Sequence, residues 1–302
     1  MTNNINIKIF SGVVVLALIW GSTWLAIKFG LMDAPPFLSA ALRFIIAFII
    51  LFIWLKFTGY KFPLTLSYWK RASFIALFMF IIPYAFVYWG ELYISSGLAA
   101  VLFSSQSLFV IFFSHYLLVN EKATIIKYFG LLLGLAGLFI IFFDKINWTD
   151  WHGFIGMTGL IIAAASGAFG LVWLKKEGET FNPVPEVTAQ LGITAIAFII
   201  LSLIFERTQI EISSVKLWGS VIYLAIPGTA IAFVIYYWLA KNASALITSF
   251  SIFLSPIFAV FLGWLILNEI YNIRSIFGTI LVLFSIIITQ LNMKKIFCKK
   301  TK

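Results

Sequence analysis

Residues Leu118–Gly130 read LVNEKATIIKYFG and residues Ile266–Gly278 read ILNEIYNIRSIFG. Both keep Asn-Glu, an Ile four residues after the Glu, a Phe four beyond that and then a Gly, at one constant offset of 148 residues. The same offset pairs Tyr88 with Tyr236, Ser96 with Ser244, Leu98 with Leu246, Ser107 with Ser255 and Leu117 with Leu265. The match runs across two apolar segments and into a third, and each copy sets a lone acid between greasy neighbours.

Those neighbours decide the solvent. The chain has 302 residues, of which 62% are hydrophobic and only 11% charged, and its mean hydropathy is +1.06. Soluble chains carry about 25% charged residues, so one aqueous core cannot hide this surface and the solvent must be lipid. A helix crosses the hydrocarbon with about 20 apolar residues. Ten spans are predicted, over residues 10–31, 37–57, 72–93, 97–119, 124–143, 154–174, 187–205, 217–240, 245–267 and 273–291. No run alternates as a barrel strand would, so the expected class is an all-α integral membrane protein. The first span is too long for the apolar core of a signal peptide and is read as retained.

Five spans separate equivalent points of the repeat. Five is odd, so the second copy enters the membrane from the other face. The expectation is ten transmembrane helices as two inverted five-helix repeats, residues 1–146 and 147–302, the second ending in a basic cytoplasmic tail. Two similar halves of opposite orientation can exchange conformations and so open one side while closing the other. Such repeats are typical of secondary transporters, with the site near the midplane between the halves. A duplication that merely builds a stable bundle is the plainer alternative.

With the N-terminus in the cytoplasm, fifteen Lys and Arg fall in inner loops and tails, and only Lys145, Arg207, Lys216 and Arg274 fall outside. This positive-inside bias puts both termini in the cytoplasm of a multi-pass cell-membrane protein. The net charge of +10 is then a surface facing anionic lipid, not a nucleic-acid patch. Cys298 is alone, His115 and His152 lack ligand spacing, and no P-loop or dinucleotide fingerprint occurs. No metal or cofactor is expected, and the oligomeric state is not legible. Without an ATPase motif, transport would be passive or driven by a gradient.

Glu121 is predicted at the inner end of the fourth span and Glu269 at the outer end of the ninth, each just before the next helix. A carboxylate near a helix N-terminus contributes about 0.3–1 kcal/mol. Both acids are read as turn and capping devices that could also latch a gate.

The chain resembles the drug/metabolite transporter superfamily, EamA type. The resemblance rests on WGSTWLAIKFG at Trp20–Gly30, PPFLSAALRF at Pro35–Phe44, ISSGLAAVLFSSQSLFV at Ile94–Val110, the two Asn-Glu segments and SPIFAVFLGWLILNE at Ser255–Glu269. It covers nearly the whole chain. It implies ten helices in two inverted halves, export or exchange of small metabolites, often amino acids, and a central cavity lined by the first, third, fourth, sixth, eighth and ninth helices. One departure stands out: Leu108 occupies the fourth-helix position where the family often has Pro, while Pro256 keeps the ninth-helix equivalent. The halves are expected to bend unequally.

Ionisable groups at depth are costly and usually face a cavity or a partner. Lys28, Arg43 and Glu91 are expected in one layer outward of the midplane. Lys28 and Glu91 are candidates for coupling or gating, beside Glu121 and Glu269, and snorkelling to the headgroups is the plainer reading of Lys28. Arg43 lies deepest and must meet Glu91, a backbone carbonyl or a substrate carboxylate, to which its planar fork is suited. Trp20, Tyr84, Tyr88, Phe169, Trp173, Tyr236 and Tyr237 are candidate walls for an amphipathic solute, though any one could be packing. Gln106 and Ser107, with Ser166, Ser251 and Ser255 in the second half, could bond a substrate or glue helices together. Gly21, Ser22, Gly167 and Gly170 are expected to let the first and sixth helices pack closely, and Pro83 and Pro227-Gly228 to kink the third and eighth spans. The partners foreseen are a small-molecule substrate and the bilayer, with a coupling proton or counter-substrate left open. A channel would need a continuous polar stripe, and a membrane enzyme a buried cluster of acids or nucleophiles; neither is found in the sequence.

Overall fold

In hydrocarbon the backbone must satisfy its own N–H and C=O groups, and every element in a computed structural model of the chain is helical. The structure describes residues 2–63, 65–119, 121, 124–145, 151–177, 182–207 and 213–290. In order the helices are α1 (Thr2–Gly30), α2 (Pro36–Phe57), α3 (Leu66–Gly90), α4 (Ser96–Leu117), α5 (Ile125–Lys145), α6 (Trp151–Lys176), α7 (Pro183–Phe205), α8 (Val215–Asn242), α9 (Ala245–Leu267) and α10 (Ile273–Gln290). Among the described residues eight of these are long and apolar enough to cross a membrane, and α5 and α10 contain the shorter apolar helices Ile125–Ile141 and Ile273–Ser285. Trp54, Trp151 and Trp264 are exposed, as lipid-facing aromatics would be. The basic tail with Cys298, and Trp148, lie outside the described residues.

The sequence halves interlock. α1 lies along α9, α2 along α7 and α5 along α10, while α6 receives α3 and α4. Small residues set the closest crossing. A Cβ on Gly137 of α5 would stand 2.8 Å from the Gly278 carbonyl oxygen of α10, and one on Gly278 would stand 2.8 Å from that of Gly137. The glycines expected to join α1 to α6 seat other pairs. Gly21 abuts Phe258 and the Ser255 carbonyl of α9, Gly167 abuts Gln106 of α4, and Gly170 abuts Met79 of α3. The spacing of small residues marks a helix as approachable but does not name the partner.

The repeated Asn-Glu has a division of labour. Asn268 ends α9 in the left-handed conformation (φ 53°), a role in which Asn follows only Gly. Glu269 then reaches across to the first turn of α4, where Oε1 accepts from Ser96 N and Ser96 Oγ (both 2.7 Å) and Oε2 from Gly97 N (3.2 Å). The N-cap Ser95 takes the next amide, Leu98 N, so three orphan donors of that helix end are satisfied. Glu121 does the same for α9, accepting from Ala245 N at 3.0 and 3.2 Å, with N-cap Ser244 taking Ile247 N. The acids cap helices as expected, and each reaches the helix matched to its own by the 148-residue offset, where the next helix in sequence was expected. Glu206, which no repeat flags, likewise accepts from Phe37 N and Leu38 N at the start of α2.

Candidate functional site

Two breaks in helical regularity build the site. Pro227 has no N–H to give, and α8 widens into a π-turn over Ile226–Ile231. The Gly228 carbonyl there accepts from Trp20 Nε1 and Arg43 Nη2, both at 3.3 Å. The Thr229 hydroxyl donates to the Leu224 carbonyl (2.7 Å) and accepts from Arg43 Nε at 2.6 Å. The kink therefore supplies the oxygens that hold a guanidinium in an apolar interior. Arg43, on α2, is 1% exposed. It lies 4.7 Å from the Tyr84 ring centroid, a cation–π distance, and Nη2 also donates to Tyr84 OH at 3.4 Å. Its Nη1 and the neighbouring Tyr88 hydroxyl are buried and interact with each other, without reaching full hydrogen-bond geometry.

The second break is in α4. The hydroxyls of Ser104 and Ser105 donate to the carbonyls three residues back, Val101 and Leu102, at 2.7 and 2.6 Å. Ser105 N and Leu108 N likewise bond three residues back, to Leu102 and Ser105. Serine back-bonding of this kind bends helices, and Gln106 emerges at the start of the second piece. Its Nε2 donates to Tyr236 OH at 3.5 Å, and its Oε1 has no partner among the described residues. Gly167 of α6 lies flat against this amide: a Cβ there would come to 3.1 Å from Oε1.

These groups wall one cavity of about 60 Å³, counted as the space open to the centre of a water-sized sphere. All six helices implied by the resemblance reach it, and α2 joins them through Arg43. Of the residues singled out in the sequence, Trp20, Arg43, Tyr84, Gln106, Tyr236 and Ser255 line it. The Ser255 hydroxyl is already engaged, donating to the Ile252 carbonyl at 2.8 Å. Thr23, Trp24 and Ile27 also line the wall and were legible: they stand three, four and seven positions after Trp20, one face of a helix. Phe103, Phe233 and Ile252 carry no signal apart from the apolar background.

The other candidates lie off the wall. Ser107 Oγ donates to the Ser249 carbonyl at 3.1 Å and ties α4 to α9. Ser166 Oγ donates to the Phe78 carbonyl at 2.9 Å, within the π-turn Leu77–Ile81 of α3. Ser251 bonds within its own helix, to Thr248 O. Tyr237 is spent on Gln190 Oε1 and on Met79 Sδ at 3.0 Å. Phe169 and Trp173 pack with Phe74 in an aromatic cluster, and Trp173 Nε1 donates to Glu177 at 3.0 Å. The charged layer is partly assembled. Lys28 Nζ donates to the carbonyls of Glu91 and Ile94 instead of snorkelling. The Glu91 carboxylate is fully buried, neither oxygen has a hydrogen bond among the described residues, and Lys28, Glu269 and Arg43 are the charges near it. No ion pair joins Glu91 to Arg43 among the described residues, because Arg43 turns to the oxygens of the α8 kink.

The profile of the EamA-like transporter family matches residues 8–143 and again residues 154–291. The chain belongs to the EamA-like transporter family. This makes it a multi-pass membrane transporter and not an enzyme. The uncharacterized transporter YoaV of Bacillus subtilis is 29% identical over 276 residues, covering 91% of this chain and 94% of that protein. The protein PagO of Salmonella typhimurium is 30% identical, covering 82% and 81%. The uncharacterized inner membrane transporter YedA of Escherichia coli is 30% identical, covering 85% and 82%. One solved crystal structure superposes with a TM-score of 0.71 over 96% of this chain and 98% of its own, at 18% identity, a likeness of fold.

Proposed function

We propose that this EamA-family transporter is a secondary transporter, an exporter or exchanger of small organic metabolites such as amino acids. It works by alternating access around the cavity between two inverted five-helix halves, residues 1–146 and 147–302, with ten spans and both termini cytoplasmic. The observation that carries the reading is the cavity itself: a buried guanidinium with no acid beside it on the wall, and a primary amide with one unused end, set in aromatic walls. Such a wall matches a solute with one polar end and an apolar body. The twofold match of one family profile and the reciprocal caps of Glu121 and Glu269 support two related halves. Each cap joins the halves at one end of the helix pair α4 and α9, where a rocking motion would have to separate them.

Counterflow in proteoliposomes, with a panel of labelled amino acids, nucleosides and sugars, tests the reading. Saturable exchange of at least one solute is expected. Large non-saturating leaks with no exchange would identify a channel instead. Single-cysteine labelling, with Cys298 replaced, tests the topology. The loop between Lys56 and Lys70 should be closed to an impermeant reagent added outside intact cells.

A further inference from the structure

The cavity wall carries one formal charge, and it is positive. Arg43 lines it, and no Asp or Glu does among the described residues. The guanidinium is held by a hydroxyl, a carbonyl and phenols, all neutral, and its Nη1 is buried. Neutral acceptors satisfy donors but do not cancel a charge, and a buried charge without a counter-charge is costly. Glu91 feels the charge of Arg43, but no ion pair joins them among the described residues and Glu91 is not on the wall. A ligand carboxylate at the wall would supply an anion beside the guanidinium. A ligand ammonium finds only neutral acceptors, such as Gln106 Oε1, and the repulsion of Arg43.

Resting on the transport reading above, we propose that the cavity recognises its solute through a carboxylate on an apolar body and does not require an amino group. Amino acids enter as carboxylates, their des-amino analogues serve as well, and the matching amines are rejected. Arg43 is the specificity-determining residue, and Gln106 takes whatever hydrogen-bond donor the α-substituent offers.

Two probe triads test this on the purified full-length protein: phenylalanine, 3-phenylpropionate and phenethylamine; and leucine, 4-methylpentanoate and isopentylamine. Binding is read as the ligand-induced rise in melting temperature, and competition as inhibition of counterflow. In at least one triad the des-amino acid should bind within about threefold of the amino acid, and the amine at least about tenfold more weakly, a difference of about 1.4 kcal/mol. Arg43→Lys keeps the charge but loses the planar fork, and should weaken both acids by about tenfold without changing the amine. An amine that binds as well as its acid overturns the proposal. So does an amino acid that binds where its des-amino analogue does not, or a wild-type protein stabilised by none of the six. The wild-type triads need no variant to fold. Acid-dependent stabilisation without any counterflow would sink the transport reading and leave this one standing.

Discussion

Helices α4 and α9 are matched in sequence by the 148-residue offset, and they break the wrong way round. α9 has Pro256 in its interior and runs unbroken from Ala245 to Leu267. α4 has Leu108 at the matching position and breaks at Ser105. The serines explain both. In α9, Pro256 leaves the Ile252 carbonyl without its usual amide donor, and the Ser255 hydroxyl donates to that same oxygen at 2.8 Å. In α4 no proline removes an amide, yet Ser105 N and Ser105 Oγ both go to the Leu102 carbonyl, Ser104 Oγ takes the Val101 carbonyl, and the turn tightens. One hydroxyl mends a helix and two others bend one. What counts is how the serine hydroxyls are placed against the backbone, and the presence of proline does not decide it alone.

The largest test concerns the ends of this pair. Both oxygens of Glu269 accept, and Oε2 also receives the Tyr271 hydroxyl at 2.5 Å. In Glu269→Gln an NH2 must face a donor whichever way the amide turns, and the expected loss is about 2–3 kcal/mol. At Glu121 both oxygens accept from Ala245 N and Oε1 lies 3.8 Å from Lys175 Nζ; Gln can keep an oxygen on the amide and loses a partly exposed ion pair, so Glu121→Gln should cost about 1 kcal/mol or less. Melting of the two variants side by side should show Glu269→Gln well below Glu121→Gln; equal melting points would mean that the two caps are alike after all.

Next in size is the mended carbonyl. Ser255→Ala should cost about 1–2 kcal/mol by leaving the Ile252 oxygen unsatisfied. In a Pro256→Ala background the new amide can reach that oxygen, and the cost should fall below about 0.5 kcal/mol, a coupling that a double-mutant cycle reads directly. A cost unchanged by Pro256→Ala would leave the repair account without support.

Tyr271→Phe removes one donor from Glu269. Burial and the adjacent carboxylate hold this phenol above its ordinary pKa, so it stays protonated and donates across the neutral range. The expected loss is about 1 kcal/mol, and it should not vary between pH 6 and 9. A loss that shrinks as pH rises would show the phenol ionising.

The smallest effect on stability is expected at the break in α4. Gly167→Ala places a methyl 3.1 Å from Gln106 Oε1, a shift that a side-chain amide can absorb for about 1 kcal/mol or less. Solute affinity should nevertheless fall severalfold in counterflow, because the amide moves on the cavity wall. Unchanged affinity would separate Gln106 from the solute.

The sequence by itself determined the solvent, the helical class, the repeated acid and the placing of Arg43 inside an apolar run. Apolar runs of membrane length, a fixed offset and a lone charge among aliphatic residues are all local patterns, and each has one cheap physical solution. It also marked Trp20, Tyr84, Gln106 and Tyr236, which do reach the cavity. Partnership was decided by the tertiary structure. Glu121 and Glu269 cap the helices matched to their own by the 148-residue offset because an acid at a helix end is drawn to the nearest unsatisfied amides, and proximity there is set by how the helices interlock. Arg43 meets the α8 kink and not Glu91, because the π-turn after Pro227 presents Gly228 and Thr229 oxygens within 2.6–3.3 Å. Tyr237, Phe169 and Ser107 have the same composition and depth as residues on the wall, yet they face neighbouring helices. In a bundle that is apolar on every side, periodicity cannot say which face looks inward, and only packing assigns it.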